Sequence, residues 1–161
     1  MILFLDFDGV FHPDDVFMTP KGPHLRSPGR LFMWAPILDE ELTSFPQVKI
    51  VLSTSWVRQL DFSRAKKRLP KGLQARIVGA TWHSSMSKTW ADQIWWDETS
   101  RHGQISRYVA RANIVDWIAI DDDADSWANS DRNRLLLTNS KEGLTTPGLI
   151  EALRIKLREH Y

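Results

Sequence analysis

No cysteine occurs in the 161 residues. That excludes a disulfide framework and any thiolate metal site, and it is compatible with the cytoplasmic location we expect. Charge of one sign is also missing: 21 basic residues face 20 acidic ones, for a formal net charge of +1. A protein that gripped polyanions by bulk charge would be far more basic, so any contact with nucleic acid has to be local. Long hydrophobic runs are absent too. The apolar start MILFL stops at Asp6, too short for a membrane span or for the apolar stretch of a signal peptide, and it reads as a strand. There is no internal repeat or low-complexity tract, and the length suits one domain over residues 1–161.

What the chain has in plenty is tryptophan, eight in all, at positions 34, 56, 82, 90, 95, 96, 117 and 127. Most are expected to fill the core, because aromatic side chains dominate buried area. The crowding of Trp82, Trp90, Trp95 and Trp96 in one segment raises the alternative of a stacking surface for bases.

Short unalternating apolar runs recur at Ile2–Leu5, Val48–Leu52, Ala75–Val78, Trp117–Ile120 and Leu135–Leu137. Such runs suit strands buried on both faces of a parallel sheet. Helical spacing appears between them over Pro36–Phe45, Val57–Leu69, Gly103–Ala112 and Pro147–Leu157. Alternating strands and helices predict a three-layer α/β/α sandwich with a central, mainly parallel sheet, whose site lies beyond the carboxyl ends of the strands. Residues 11–34, rich in Pro and Gly, and residues 81–101, rich in Trp, Ser and charge, fit neither pattern and read as excursions over that edge.

The first strand ends in DFDG, which places Asp6 and Asp8 on one face. An isolated DxDG is as easily a turn closed by an Asx hydrogen bond. A second acidic group changes the balance: WIAIDDDADSW ends another apolar run with Asp121, Asp122 and Asp123, and Asp125 follows. Two carboxylate clusters at one sheet edge are costly without a cation, and a hard divalent ion such as Mg²⁺ is the ordinary solution. In KIVLSTSW the hydroxyls of Ser53, Thr54 and Ser55 either cap the next helix or receive a phosphate. Lys88 and Arg101 are the candidate cations ahead of a later helix, and either alone would ordinarily be a solvated charge.

In this order, DFDGV, VLST, Lys88 or Arg101, and IDDDAD, the sequence resembles the haloacid dehalogenase (HAD) superfamily of phosphotransferases and phosphatases. The phrases LFMWAPILDEEL, RIVGAT, HGQISRYV and LLLTNSKEGLT are similar to the HAD-like domains of Swiss-army-knife RNA-repair proteins. The resemblance implies a hydrolase in which Asp6 is the nucleophile that forms an aspartyl phosphate and Asp8 the general acid and base. It implies Mg²⁺ held by Asp6, the backbone carbonyl of Asp8 and Asp121, with Asp122 or Asp125 in support. Thr54, with Ser53 as the alternative, would bind phosphate. Residue type favours Lys88 as the third-motif cation, whereas proximity to Asp121 and to a helix start favours Arg101.

Family members insert lid domains between these motifs. Here the intervals are roughly 45 residues or fewer and already hold core elements, so no large cap is expected. An open site suits macromolecular ends, which makes terminal phosphates of RNA or DNA, or nucleotides, the expected substrates. The basic run RAKKR (residues 64–68) could assist, though on a helix it reads first as a solvated face. Small phosphomonoesters, or a HAD-fold binding module without turnover, are the alternatives.

Overall fold

A computed structural model describes residues 1–160; Tyr161, the last residue of the expected domain, lies outside the described residues. Five strands form one parallel sheet: β1 (Ile2–Leu5), β4 (Lys49–Leu52), β5 (Ile77–Ala80), β6 (Trp117–Asp121) and β7 (Leu135–Leu137), in the order β5-β4-β1-β6-β7. β2 (Val16–Thr19) and β3 (Gly22–Leu25) make a separate antiparallel hairpin.

The alternation of side chains along each strand sorts the core into two layers. Leu3, Leu5, Ile50, Leu52, Ile118 and Ile120 point to one face, where α1 (Ala35–Leu42), α3 (Phe62–Lys67), α4 (Lys71–Gln74) and α7 (Leu149–Glu159) add Leu38, Ala65, Leu73 and Leu153. Phe4, Val51, Trp117 and Ala119 point to the other, where α6 (Arg101–Ala112) adds Ile105. Helices on both faces of a buried parallel sheet complete the three layers. No inserted lid domain appears among the described residues. No helix is long and apolar enough to cross a membrane.

Three sequence expectations need correction. The run Ala75–Val78 is not a strand over that span: Ala75 is the C-cap of α4, and β5 starts at Ile77. The helix expected over Val57–Leu69 is two, α2 (Trp56–Leu60) and α3, because Asp61 takes a φ of 96° and its carboxylate accepts the Arg64 backbone N–H at 2.8 Å as a new cap. The two excursions carry regular structure, the β2–β3 hairpin in the first and, in the second, a 3₁₀ turn (Ser84–Lys88) followed by α5 (Trp90–Glu98). As expected of most of them, the tryptophans serve the core: Trp56, Trp82, Trp96, Trp117 and Trp127 are buried, and of the crowded four only Trp90 stands out in solvent, at 78% exposure.

Sheet register positions the site. Leu5 lies opposite Leu52 on one side and Ile120 on the other. The next residue along each parallel strand therefore emerges at the same level, so Asp6, Ser53 and Asp121 stand side by side at the carboxyl edge. The ladder continues through them, with the Asp6 N–H donating to the Ile120 carbonyl (3.2 Å) and the Ser53 N–H to Leu5 (2.9 Å).

Candidate active site

Asp6 and Asp121 are buried, Asp122 is half-buried, and one carboxylate oxygen from each lies within 4.8 Å of the others. Burial, with Asp8 adding repulsion, lifts Asp6 from 3.8 to about 6 even though Arg101 pulls the other way. Burial and the charge of Asp6 lift Asp121 well above the usual carboxylate range. Asp122 rises to about 7, again by burial first and then by Asp6 and Asp14. Asp125 is exposed and stays outside this group.

Arg101, the first residue of α6, faces the cluster: its Nη2 lies 3.5 Å from Asp6 Oδ1 and its Nε 3.0 Å from Asp121 Oδ2. The second contact is an ion pair that lacks hydrogen-bond alignment, which leaves Asp121 Oδ2 without a hydrogen-bond partner. Burial opposes the guanidinium charge, but the surrounding aspartates outweigh it and raise its pKa. Ser100 starts α6 by accepting the Gly103 N–H (3.1 Å). Arg101 Nη1 donates to Gln104 Oε1 (3.2 Å), and the buried Gln104 amide donates onward to the carbonyls of Trp96 (3.1 Å) and Thr99 (3.4 Å). Lys88 is exposed at the end of the 3₁₀ turn and makes no ion pair among the described residues.

Asp8 is gripped from two sides. The Trp56 indole N–H lies 3.0 Å from both of its carboxylate oxygens, and His12 Nε2 lies 2.9 Å from Oδ1. His12 is fully buried and its Nδ1 accepts the Phe32 backbone N–H (3.1 Å), so the neutral ring carries its hydrogen on Nε2 and donates to Asp8. Oδ2 thus has one partner where Oδ1 has two. Thr54 is also buried; its hydroxyl accepts the Trp56 N–H (3.3 Å) and weakly favours the ionised form of Asp6. The Ser53 hydroxyl is buried without a partner. Gly9 has a φ of 73°, and a Cβ there would fall 2.2 Å from Asp122 Oδ2. Only glycine lets the first loop pass so close to the second acidic cluster.

A family model described as the HAD domain in Swiss Army Knife RNA repair proteins matches residues 2–149. The chain belongs to that family. No curated protein and no solved structure matches it. As a HAD domain it combines the parallel sheet with the clustered aspartates typical of HAD phosphatases, hydrolases of phosphate monoesters.

The HAD cluster fits a divalent cation on its own chemistry. Its donors are all carboxylate oxygen, the set preferred by hard ions. Three aspartates against a single arginine leave negative charge that an ion would neutralise, and Asp121 Oδ2 has no hydrogen bond to lose. A pH dependence follows. Asp6 at about 6 and Asp122 at about 7 lie above the 3.8 of an unfolded aspartate. Folded protein without metal therefore holds more protons than unfolded chain across that window, and its stability falls as pH rises through it. Bound Mg²⁺ requires the ionised acids, so its stabilisation grows with pH. We expect thermal melts in chelator to drop between about pH 5 and about pH 8, and millimolar Mg²⁺ to raise Tm by several degrees at the upper pH and little at the lower.

Sequence reasoning missed His12, Trp56 and Gln104. A histidine beside a proline reads as a turn and a tryptophan as core. Trp56 lies 48 residues from Asp8, beyond any local pattern; His12 and Gln104 lie four and three residues from Asp8 and Arg101, a spacing that is there to be read.

Proposed function

We propose that this HAD domain is a Mg²⁺-dependent phosphatase that removes terminal phosphates from nucleic acid. The observation carrying the chemistry is Asp6 in one group with Asp121 and Asp122, with Arg101 laid against it and an anchored Asp8 two residues on. The RNA-repair description of the family and the open, capless edge support a polynucleotide end as substrate.

An Asp6 carboxylate oxygen attacks phosphorus and the bond from phosphorus to the leaving oxygen breaks. That oxygen takes a proton from Asp8, whose Oδ2 is the less encumbered atom. Water then attacks the aspartyl phosphate and gives its proton to Asp8, and inorganic phosphate leaves as Asp6 is regenerated. Thr54 and Arg101 bind the phosphoryl oxygens, Arg101 held in aim by Gln104. Trp56 and His12 keep Asp8 in place. Asp6, the Asp8 carbonyl and Asp121, with Asp122 in support, would hold Mg²⁺, which would supply charge neutralisation at the phosphoryl group.

Phosphate release from 3′- and 5′-phosphorylated oligoribonucleotides, compared with sugar phosphates, tests this reading. We expect a polynucleotide end to be preferred at least about tenfold in kcat/KM, with loss of release in chelator. Preference for the sugar phosphates would remove the end-repair assignment, and activity indifferent to chelator would remove the metal.

A further inference from the structure

A groove of about 920 Å³, separate from the acidic cluster, is walled by α2, the start of α3, the outer half of β5, and residues 82–93. It begins beside the site. Thr81 donates its N–H to the Leu52 carbonyl (2.9 Å), so Trp82 and His83 leave β5 next to the strand end from which Ser53 and Thr54 leave β4. On the other wall, Val57 and Arg58 follow directly after Trp56, the residue that holds Asp8. At about 1.5 Å of rise per helical residue, Arg58 lies only some 3 Å along the axis from Trp56. A leaving oxygen must touch Asp8, and the α2 wall of the groove starts one residue after Trp56, which holds Asp8.

The lining suits a flexible strand carrying flat rings. Phe62 is 38% exposed. His83 is exposed and stacks in parallel on Tyr108 with centroids 6.3 Å apart. The Arg58 guanidinium lies over the Trp82 ring at 4.8 Å and is anchored by Asp97. Aromatic faces and guanidinium planes take any base, and serine hydroxyls and Gln93 supply hydrogen bonds without bulk positive charge. That agrees with a net charge of only +1. The volume lies near the top of the range for small-molecule pockets of about 300–1,000 Å³, and a phosphomonoester without a base would leave most of it unfilled.

We propose that this groove binds the unpaired nucleotides next to the terminal phosphate, stacking their bases on Phe62, His83 and the Arg58–Trp82 pair. The inference rests on the phosphatase reading for its catalytic arm alone.

In that arm, kcat/KM is measured for phosphorylated oligoribonucleotides of one to five nucleotides and for an aryl phosphate. The expected result is a rise of about tenfold or more over the first few nucleotides, then a plateau. Phe62→Ser and His83→Ala, both at exposed positions, are expected to lower the ratio of oligonucleotide to aryl phosphate turnover at least about fivefold. A flat length profile, or equal losses on both substrates in folded variants, would overturn the groove. The second arm is independent of turnover: anisotropy of a labelled, dephosphorylated tetranucleotide, expected to bind the native chain and to weaken in both variants. Absence of hydrolysis on every substrate with this binding intact would reject the phosphatase and keep the groove. Unchanged binding in the variants, equal affinity for a fully paired duplex, or displacement by an extended peptide but not by unlabelled strand would reject the groove.

Discussion

Asp6→Asn is expected to abolish phosphate release, by about 10⁴-fold or more in kcat, while leaving a folded protein that, without Mg²⁺ near pH 8, is more stable than the native one. The activity loss follows from the nucleophile role proposed for Asp6, since deleting a nucleophile that acts within a unit removes nearly all that the unit contributes. The stability gain follows from the same burial. Asp6 is 4% exposed and its carboxyl is pushed up to about 6, so the fold disfavours its ionised form in spite of Arg101. Asparagine imitates the neutral acid. Relief on the order of 2 kcal/mol, appearing as a Tm several degrees higher in chelator, is the expected scale. With Mg²⁺ the order should reverse, because the ion loses a ligand. Melts in chelator and in Mg²⁺, alongside phosphate release, check all three statements. A variant that keeps native turnover would end the aspartyl-phosphate mechanism.

Arg101→Met is expected to cost about 10³-fold in kcat/KM and to destabilise the metal-free protein by about 3–5 kcal/mol near pH 8. Arg101 is the only cation that touches the buried carboxylates of Asp6 and Asp121 among the described residues, and methionine fills the space while leaving both without a counter-charge. The loss should shrink near pH 5, where those acids take up protons, so urea denaturation at the two pH values separates charge from packing. Arg101→Lys should fall between, because an ammonium keeps the charge but cannot contact both acids and Gln104 with one planar fork. Lys88→Met is the control. If it proved the more damaging substitution, the cation role would belong to Lys88.

The central strands are legible in the sequence because β1, β4 and β6 are buried on both faces, and an unbroken run of Ile, Leu and Val between turn residues suits that environment best. β5 is misplaced by its pattern where the apolar run straddles a helix end: Arg76 turns the chain there by donating to the carbonyls of Leu42 (2.6 Å) and Phe45 (2.8 Å), contacts that span more than thirty residues. The break at Asp61 is hidden because the apolar stripe runs on through it, and periodicity carries no record of one residue with positive φ. At the site, Asp6, Asp8 and Asp121 stand out since strand ends are visible in a sequence. Asp122 and Asp125 cannot be told apart there, because the turn that sends the first inward and the second outward is set by backbone bonds from Asp123 and Asp125 to preceding aspartate side chains. Trp56 acts on Asp8 across 48 residues and nothing local marks it, whereas His12 and Gln104 sit four and three residues from the groups they hold, in DFDGVFH and RHGQ, and are legible as i, i+4 and i, i+3 neighbours.

The order in which a ribosome releases the strands differs from the order in which they lie in the sheet. β1 emerges first yet ends in the middle, with β4 on one flank and β6 on the other. Until residue 52 is out it has no neighbour, and until residue 121 is out one whole flank stays open to any other extended chain. Nascent polypeptide of this domain therefore passes through a long interval in which its most apolar strand is a template for mispairing, and slower translation over residues 53–116 would lengthen the time during which chaperones must shield it.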